Sequence, residues 1–208
     1  MGNSNDLFDL NQRWNERYQQ NDYFYGKAPN DFLKANAHIF STGQKVLCLA
    51  EGEGRNSVFI AKQGCHVTAV DFSPVGLEKL QNLARENSVM IETVCANLKD
   101  FDMGQNKWDV IVSIWCHLPS ELRKTVHTRV SGALKPNGYF LLESYTPDQI
   151  AKNTGGPKEV DRLMTAKILK LELAGLKMLE LREIERNISE GVGHNGQSSV
   201  VQVLAQKE

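Results

Sequence analysis

The sequence has no marked excess of charge, no long hydrophobic run and no paired cysteines. Its 208 residues contain 24 lysines and arginines against 25 aspartates and glutamates, a net charge of −1. Binding along nucleic-acid phosphates requires a basic surface, so this balance argues against DNA or RNA as a partner. No apolar run approaches the roughly 20 residues that cross a bilayer, which predicts no membrane span. Residues 1–30 have no basic start followed by an apolar core, so no secretory signal is expected.

The cysteines argue against a disulfide framework and against a metal site. Cys48, Cys65, Cys95 and Cys116 form no Cys-x-x-Cys pair, and three of them lie in or beside apolar runs. This pattern predicts buried, reduced thiols, as in a cytoplasmic protein. A domain of this length buries about 70% of the surface that its unfolded chain exposes, so neither kind of cross-link is required for stability.

The middle of the chain alternates between short apolar runs and segments with helical periodicity. The run Lys45–Ala50 is typical of a strand buried on both faces, and Ser73-Pro74 is typical of a helix start. Further strands are expected at 66–70, 89–95, 109–115 and 139–145, and helices at 55–63, from Pro74 and from Pro119. Such alternation predicts an α/β fold, with a mostly parallel sheet covered by helices on both faces.

The two ends of the chain have other patterns. A helix expected near 159–174 precedes two strand-like runs, 177–187 and 198–205, with no helix between them. They predict a final hairpin, so that one of the last strands runs antiparallel to its neighbours. Residues 1–40 are expected to form an N-terminal helical cap, and 41–208 the main part of a single compact domain.

A loop with two glycines comes after the first predicted strand. Gly52 and Gly54 stand at a strand-to-helix junction, where the lack of side chains lets a ligand approach the backbone. Asp71 ends the second predicted strand, and an acid there can accept hydrogen bonds from both hydroxyls of a ribose. The loop and the acid together predict a cofactor that contains a nucleoside.

The remaining residues of the loop help to identify the nucleoside-containing cofactor. Ser57 stands where a dinucleotide-binding fingerprint has its third glycine, which weakens the case for a nicotinamide dehydrogenase without removing it. Glu51 and Glu53 would repel a pyrophosphate, whereas they suit a cationic or zwitterionic ligand. S-adenosylmethionine has a sulfonium, an amino group and no phosphate, and it fits this loop better.

Several segments carry a family resemblance. They are the glycine loop, Asp71-Phe-Ser-Pro74, Asn97-Leu98, Asp109-Val-Ile-Val-Ser113 and Leu134-Lys-Pro-Asn-Gly138. With them, residues 45–146 resemble a class I S-adenosylmethionine-dependent methyltransferase. Gly52–Ser57 and Tyr25–Asn30 are similar, more narrowly, to the tellurite-resistance TehB-type small-molecule methyltransferases. The resemblance implies a Rossmann-like fold with a seven-stranded, mostly parallel sheet and a final antiparallel hairpin.

The resemblance also implies which residues hold the cofactor. They would be Ala50, Glu51, Gly52, Gly54, Arg55, Asp71, Phe72, Asn97, Leu98 and Ile114, with Trp14 covering the methionine part. Cys48 and Ala50 depart from the family loop, which usually has an acid and a glycine at these positions. Glu51 or backbone carbonyls would then hold the amino group. Asn97 replaces an acid that often bonds the adenine amine, and its amide oxygen can accept the same hydrogen bond.

Catalytic candidates come after the later strands, beyond whose carboxyl ends the methyl group would point. They are His117, Tyr145, Glu190 and His194. His117 is either a general base, because an imidazole titrates near neutral pH, or a residue that packs beside a helix start. His194 lies in a glycine-rich turn, where it is either functional, with Glu190 as its hydrogen-bond partner, or solvated.

Two further clusters, one aromatic and one basic, have expected positions. The aromatic residues Trp14, Tyr18, Tyr23 and Tyr25 are expected to form a hydrophobic seam of the cap, with substrate stacking as the alternative. The basic run Arg123, Lys124, His127 and Arg129 is expected on a solvated helix face.

The implied function is S-adenosylmethionine-dependent methyl transfer to a small molecule or an inorganic oxyanion, with tellurite, selenite or a thiol as possible acceptors. The cap and tail around residues 45–146 leave little chain for docking RNA or protein. Two alternatives stay open. One is O- or N-methylation of a small metabolite, and the other is a non-catalytic protein that binds S-adenosylmethionine, for which the substitutions at Cys48 and Ala50 are the reason. A cytoplasmic monomer or homodimer is expected.

Overall fold

The computed structural model describes residues 4–20 and 22–208, with side chains from Asn11 onward. The strands are β1 (Lys45–Leu49), β2 (His66–Asp71), β3 (Ile91–Cys95), β4 (Trp108–Ile114), β5 (Leu134–Tyr145), β6 (Lys177–Glu190) and β7 (His194–Gln206). The α-helices are α1 (Ser4–Tyr18), α2 (Asp31–Ala35), α3 (Arg55–Ala61), α4 (Pro74–Glu86), α5 (Ser120–Ala133) and α6 (Ala166–Glu172). Short 3₁₀ turns occupy Ala37–Ile39, Pro147–Ala151 and Val160–Arg162.

The strands form one seven-stranded sheet in the order β3-β2-β1-β4-β5-β7-β6. Pairing is parallel from β3 through β5, whereas β7 runs antiparallel to both β5 and β6. The predicted parallel sheet with a final antiparallel hairpin is therefore confirmed. The strand order reverses at β1, between β2 on one side and β4 on the other. In open α/β sheets, ligands bind at this switch point, beyond the carboxyl ends of the strands.

Apolar residues on both faces of β1 explain why this strand lies at the centre. Val46 and Cys48 face a core built with α3 and α4, while Leu47 and Leu49 face a second core built with α5 and α6. All four side chains are at most 1% exposed. A strand covered by helices on both faces needs a continuous apolar run, which is the pattern in the sequence.

The elements after β5 differ in extent from those predicted. The expected helix at 159–174 is reduced to α6, because the side chain of Thr165 accepts a hydrogen bond from Ile168 N and so caps a later start. The hairpin strands are longer than their apolar runs. Their backbone pairing continues to Glu190 and His194 at the turn, since ladder hydrogen bonds do not depend on side-chain polarity.

The prediction of a solvated basic face on α5 is wrong for two of its four residues. Arg123 and His127 are each 3% exposed, and both bind Glu172 of α6. Lys124 and Arg129 are exposed, as expected. Residues four apart share one face of a helix, so the pair Arg123 and His127 meets the neighbouring helix together.

Helix α1 lies against α4 and the loop that precedes it. Asn11 Nδ2 donates to the carbonyl of Phe72 (2.7 Å), and Ser73 Oγ donates to Asn15 Oδ1 (2.6 Å). Tyr18 is 5% exposed at the end of the helix. These contacts place part of the predicted cap 1–40 over the carboxyl end of β2, while residues 1–3 and 21 lie outside the described part. In that described part, none of the helices has the length and apolar character to traverse a bilayer.

Candidate functional site

Backbone strain marks the two strand ends that flank the switch point. Ala50 comes directly after β1 with φ 49°, and Trp115 comes directly after β4 with φ 57°. Non-glycine residues rarely adopt such left-handed conformations, which cost roughly 1–3 kcal/mol each and cluster at functional sites. Ala50 therefore keeps the conformation that favours a glycine, although it carries a side chain.

Asp71 joins the glycine loop to the loop after β2. Its Oδ2 accepts a hydrogen bond from Gly52 N and its Oδ1 accepts one from Ser73 N, both at 2.8 Å. The carboxylate is 5% exposed. Burial raises the pKa of Asp71 to about 6, against the opposing effect of these backbone N–H groups. A carboxylate oxygen has lone pairs beyond those used here, so Asp71 can still accept ribose hydroxyls.

The other predicted cofactor residues share this edge of the sheet. The register pairs Leu49 with Val70 and Asp71 with Cys95, so the strand ends line up. Phe72 and Asn97 are half-buried, whereas Leu98 and Ile114 are buried, around the same edge. The set comprises a carboxylate, an amide and apolar walls, with no cationic group among them. This chemistry fits S-adenosylmethionine, which carries a ribose, an adenine and a sulfonium.

The two loop glycines each leave out a side chain for a different structural reason. A Cβ built on Gly52 would lie 2.6 Å from the hydroxyl oxygen of Tyr18, so the space over this residue is filled by α1. A Cβ on Gly54 would overlap the side chain of Leu80 in α4. Gly52 thus faces the cap, while Gly54 permits close packing of α3 against α4. The predicted role of Gly54 under the cofactor stays a prediction.

Gly54→Ala is expected to lower the free energy of unfolding by about 1–3 kcal/mol more than Gly43→Ala, the usual cost of overpacking. Both glycines have positive φ, 90° and 85°, so the backbone strain of an alanine is matched. Nothing lies within 4 Å of a Cβ on Gly43, so only the Gly54 variant meets Leu80. Urea unfolding of both variants measures the difference. Equal losses would show that the overlap with Leu80 is relieved at no cost.

The two loop glutamates bind different parts of the chain. Glu51 Oε1 accepts a hydrogen bond from Ser57 N (2.7 Å) and so caps the first turn of α3. Glu53 pairs with Lys79 at 2.5 Å, and its Oε2 accepts a hydrogen bond from Tyr25 N at 3.4 Å. Burial raises the pKa of Glu51 to about 7, although the Ser57 N–H opposes the shift. Contact of Glu51 with the amino group of the cofactor stays a prediction.

Glu51→Gln is expected to flatten the pH dependence of stability between pH 4.5 and 7. The folded-state pKa is about 7 and the ordinary value is 4.5, so the folded protein binds the proton more tightly. Stability from this group is complete below pH 4.5 and is lost as the pH rises through 7. Urea unfolding at several pH values measures the slope. Glu78→Gln, at an exposed position on α4, is the control and should keep the wild-type slope.

Arg55 and Trp14 each contact other side chains of the protein. The guanidinium of Arg55 is 6% exposed and donates to Glu190 Oε2 at 2.6 Å. Trp14 packs against Tyr18 and Tyr25, with ring centroids 5.5 and 6.4 Å away. These aromatic residues form a seam between α1 and the chain after it, as expected. Contact of Arg55 or Trp14 with the cofactor stays a prediction.

Side chains from β4, β5, the hairpin and the cap meet in a group of rings, here called the ring cluster. It consists of Tyr25, Trp115, His117, Tyr145 and His194. The centroid of Trp115 lies 4.4 Å from that of Tyr145 and 4.8 Å from that of His194. Tyr25 lies 4.6 Å from His194, and His117 stacks on Tyr145 at 5.5 Å. The predicted catalytic residues are therefore brought together.

Glu190 lies at the base of the ring cluster. It accepts hydrogen bonds from Arg55 (2.6 Å), Trp115 Nε1 (2.7 Å) and Asn30 Nδ2 (2.8 Å), and lies 3.4 Å from His194 Nδ1. Burial opposes its charge, but His194 and Arg55 hold the pKa of Glu190 well below its usual range. Burial lowers the pKa of His194, an effect that the bond to Glu190 offsets in part. His194 Nδ1 thus lies beside a carboxylate that can orient the ring.

His117 has a different environment. Its Nε2 accepts a hydrogen bond from Tyr145 N at 3.4 Å, so the ring nitrogen is turned to the backbone of β5. Burial, with nearby His194, lowers the pKa of His117 to about 3. An imidazole with that pKa is neutral but weakly basic at physiological pH. General-base catalysis by His117 stays a prediction, and His194 has the stronger geometric case.

Sequence reasoning missed both buried ion pairs, Arg55 with Glu190 and Arg186 with Glu143. Glu143 of β5 binds Arg186 at 2.6 Å and also accepts from Gln202 of β7 at 2.6 Å. Asn30 Nδ2 donates to Glu143 (2.6 Å) as well as to Glu190, and so joins the two pairs. The sequence carried a signal for this, because Glu143 is a charged residue within the apolar run of β5. The structure shows that its side chain is 0% exposed.

A loop with two glycines covers the ring cluster from the side of β7. A Cβ on Gly155 would lie 2.9 Å from His194 Cδ2, and one on Gly156 would lie 2.5 Å from Tyr145 Cδ2. The carbonyl of Thr154 accepts from Asn195 N at 3.1 Å, which ties the loop to the hairpin. Residues 154–156 are here called the glycine strap. Within the part of the chain that the structure describes, no group of three His, Cys, Asp or Glu side chains could hold a metal ion.

Residues 46–138 match the protein family described as "Methyltransferase domain". Among curated proteins, the chain is similar to the glycine/sarcosine/dimethylglycine N-methyltransferase of Actinopolyspora halophila. The two are 27% identical over 174 residues, which cover 79% of this chain and 30% of that protein. The chain spans less than half the length of the curated relatives it matches.

Solved structures share the fold. TehB from Haemophilus influenzae has a TM-score of 0.69 and 22% identity, covering 86% of this chain and 62% of that chain. The N-methyltransferase NodS from Bradyrhizobium japonicum, solved with S-adenosyl-L-homocysteine, has a TM-score of 0.70 and 12% identity, covering 94% and 97%. The predicted Rossmann-like class I fold and the likeness to TehB are confirmed.

Proposed function

We propose, from the premise that residues 46–138 of this chain are a methyltransferase domain of the class I fold, that the protein methylates a small organic acceptor with S-adenosylmethionine. One observation carries the proposal. Glu190 binds Arg55, which opens the helix after the glycine loop, and also contacts Trp115 and His194 in the ring cluster. The cofactor edge and the ring cluster are therefore adjacent parts of one site.

The chain's own residues divide the work between binding and proton transfer. When bound, S-adenosylmethionine supplies an electrophilic methyl group on a sulfonium. Asp71 accepts the ribose hydroxyls, and the carboxyl of Glu51 meets the amino group. The rings of Trp115 and Tyr145 exclude water and align the acceptor, which supplies much of the rate in a displacement of this kind. His194 takes the acceptor's proton at Nε2, because Glu190 holds the hydrogen on Nδ1.

The charge balance of the site favours an uncharged or zwitterionic acceptor. Arg55 is paired with Glu190, and Arg186 with Glu143, so these two buried cations are neutralised. Arg17, which is half-buried, donates to the hydroxyl of Tyr25 (2.9 Å). An inorganic oxyanion needs an uncompensated positive charge or several donors, whereas an amine or hydroxyl needs a base. The similarity to a glycine/sarcosine/dimethylglycine N-methyltransferase supports amines as the first acceptors to assay. The likeness to TehB is the reason to assay tellurite, selenite and thiols beside them.

Calorimetry and then an acceptor screen test the proposal. Purified protein is titrated with S-adenosylmethionine and S-adenosylhomocysteine, and release of S-adenosylhomocysteine is then measured with glycine, sarcosine, ethanolamine, dithiothreitol, selenite and tellurite. Micromolar binding of both ligands and turnover of an amine are expected. Failure of a folded sample to bind either ligand would overturn the proposal, and a response to NADH alone would indicate a dehydrogenase. Binding without turnover of any acceptor would indicate a non-catalytic binder.

A further inference from the structure

Tyr145, the last residue of β5, carries a buried hydroxyl with no internal partner. The side chain is 0% exposed, and its oxygen makes no hydrogen bond to any residue in 4–20 or 22–208. The hydroxyl of Ser198 donates to the carbonyl of Gly196 (3.1 Å) and lies 3.0 Å from Thr154 Oγ1. It is close enough to oppose the rise in the pKa of Tyr145, but the two hydroxyls do not have the geometry of a hydrogen bond. A buried, unpaired hydroxyl is destabilising, so its persistence in the ring cluster calls for a functional reason.

The hydroxyl lies close to His194, the base in the proposed function. A Cβ on Gly155 would be 3.0 Å from this oxygen and 2.9 Å from His194 Cδ2, so the strap, the hydroxyl and the imidazole meet. The ring stacks on Trp115, at the end of the strand beside the cofactor edge. The strap meets the hydroxyl and the ring with backbone atoms alone at Gly155 and Gly156, because these residues have no side chains. A small displacement of the strap would therefore make room for a ligand.

The hydroxyl can act only as a neutral group. Burial, together with the Glu190 charge, raises the pKa of Tyr145 far above its ordinary value. It therefore keeps its proton throughout the physiological range and offers one O–H donor. The phenol oxygen can also accept, but its O–H is satisfied only by a ligand group that supplies a lone pair.

We propose that Tyr145 is a specificity-determining residue whose hydroxyl donates a hydrogen bond to a second polar group of the acceptor, beneath the glycine strap. This inference rests on the proposed function. It defines the acceptor as a bifunctional small molecule, in which the nucleophile faces His194 and a neighbouring carbonyl, carboxyl or hydroxyl oxygen accepts from Tyr145. Simple amines without that oxygen leave the hydroxyl unpaired and are poor substrates.

The first test measures stability and needs no acceptor. Tyr145→Phe removes an unpaired hydroxyl, so its urea midpoint should equal or exceed that of the wild type, and its affinity for S-adenosylhomocysteine should be unchanged. Ser198→Ala and the double variant complete a cycle. A loss of stability in Tyr145→Phe that disappears when Ser198 is already alanine would show an internal bond between the two hydroxyls and overturn the inference.

The second test compares ethanolamine with propylamine, which has a methyl group in place of the hydroxyl. The wild type should show a kcat/KM about 10–100-fold higher for ethanolamine, and Tyr145→Phe should erase this preference, mainly through KM. An equal preference in both proteins would overturn the inference. If neither amine reacts, both are titrated into the complex of the protein with S-adenosylhomocysteine. The inference is overturned if neither amine binds, or if they bind without preference for ethanolamine. Failure to bind S-adenosylhomocysteine would instead count against the proposed function, while the stability cycle still decides whether the hydroxyl is unpaired.

Discussion

Glu190→Gln is expected to lower the free energy of unfolding by about 3–5 kcal/mol, because it leaves the buried guanidinium of Arg55 without a charged partner. The side chains of this pair are only 4% and 7% exposed, so solvent provides little compensation. A glutamine also directs an amide NH₂ toward donors from Arg55, Asn30 and Trp115, all of which now find a carboxylate. Urea unfolding at pH 7 measures the loss.

Glu185→Gln provides a matched control on the same strand. Glu185 pairs with Lys152 at the surface, and its side chain is 58% exposed. Its replacement should leave the unfolding midpoint unchanged. A similar loss in both variants would mean that β6 tolerates no glutamine, and the buried charge would then not account for the effect.

The same Glu190 variant should reduce kcat by about 10²–10⁴-fold, the usual contribution of a positioned general base. Glu190 acts here as a positioning residue, because it holds the imidazole of His194 in one orientation. His194→Ala tests the base while Arg55 keeps its charged partner Glu190. This variant should show a comparable fall in kcat with a smaller loss of stability. Unchanged turnover across pH 6–9 in the His194 variant would exclude it as the base.

Asp71→Ala is expected to weaken binding of S-adenosylmethionine by about 10–100-fold. Hydrogen bonds to a charged group contribute about 1.5–3 kcal/mol, and each 1.4 kcal/mol corresponds to a factor of ten in affinity. The alanine also removes the bond from Gly52 N, which holds the glycine loop in place. Isothermal titration of the folded variant measures the change.

Asp109→Ala controls for the loss of an acid from the sheet. Asp109 lies at the start of β4, on the opposite edge, and bonds Lys45 N (2.7 Å) and Lys135 (2.8 Å). Its replacement should reduce stability but not affinity for the cofactor. If both variants bind S-adenosylmethionine as the wild type does, Asp71 does not contact the ribose.

The cofactor half of the site was predictable because it is local in sequence. Gly52 lies in the loop after β1 and Asp71 ends β2, and parallel strands bring their carboxyl ends to one edge. The alternation of apolar runs with helical periodicity was therefore enough to place them together. The final hairpin was predictable for the same reason, since two strand-like runs with no helix between them must pair antiparallel.

The acceptor half was predictable only as a set of residues. His117, Tyr145, Glu190 and His194 were each named, but nothing in the sequence gives the distances between positions that are up to 77 residues apart. Asn30 and Arg186 were missed because their partners, Glu143 and Glu190, come from distant strands. Arg123 and His127 were assigned to solvent, because a helix pattern cannot show that Glu172 lies on the neighbouring helix.

The sequence by itself determined the fold and the meeting of Gly52 and Asp71 at one edge of the sheet, because these depend on periodicity and on the residues at the end of each strand. Only the tertiary structure decided that Arg55 binds Glu190, that Gly54 makes room for Leu80 and that the hydroxyl of Tyr145 has no partner among the described residues. Burial and pairing are properties of the packed chain. A charged or polar side chain has the same chemical structure whether it is exposed to water or buried. Its contribution to stability depends on which distant residues pack against it.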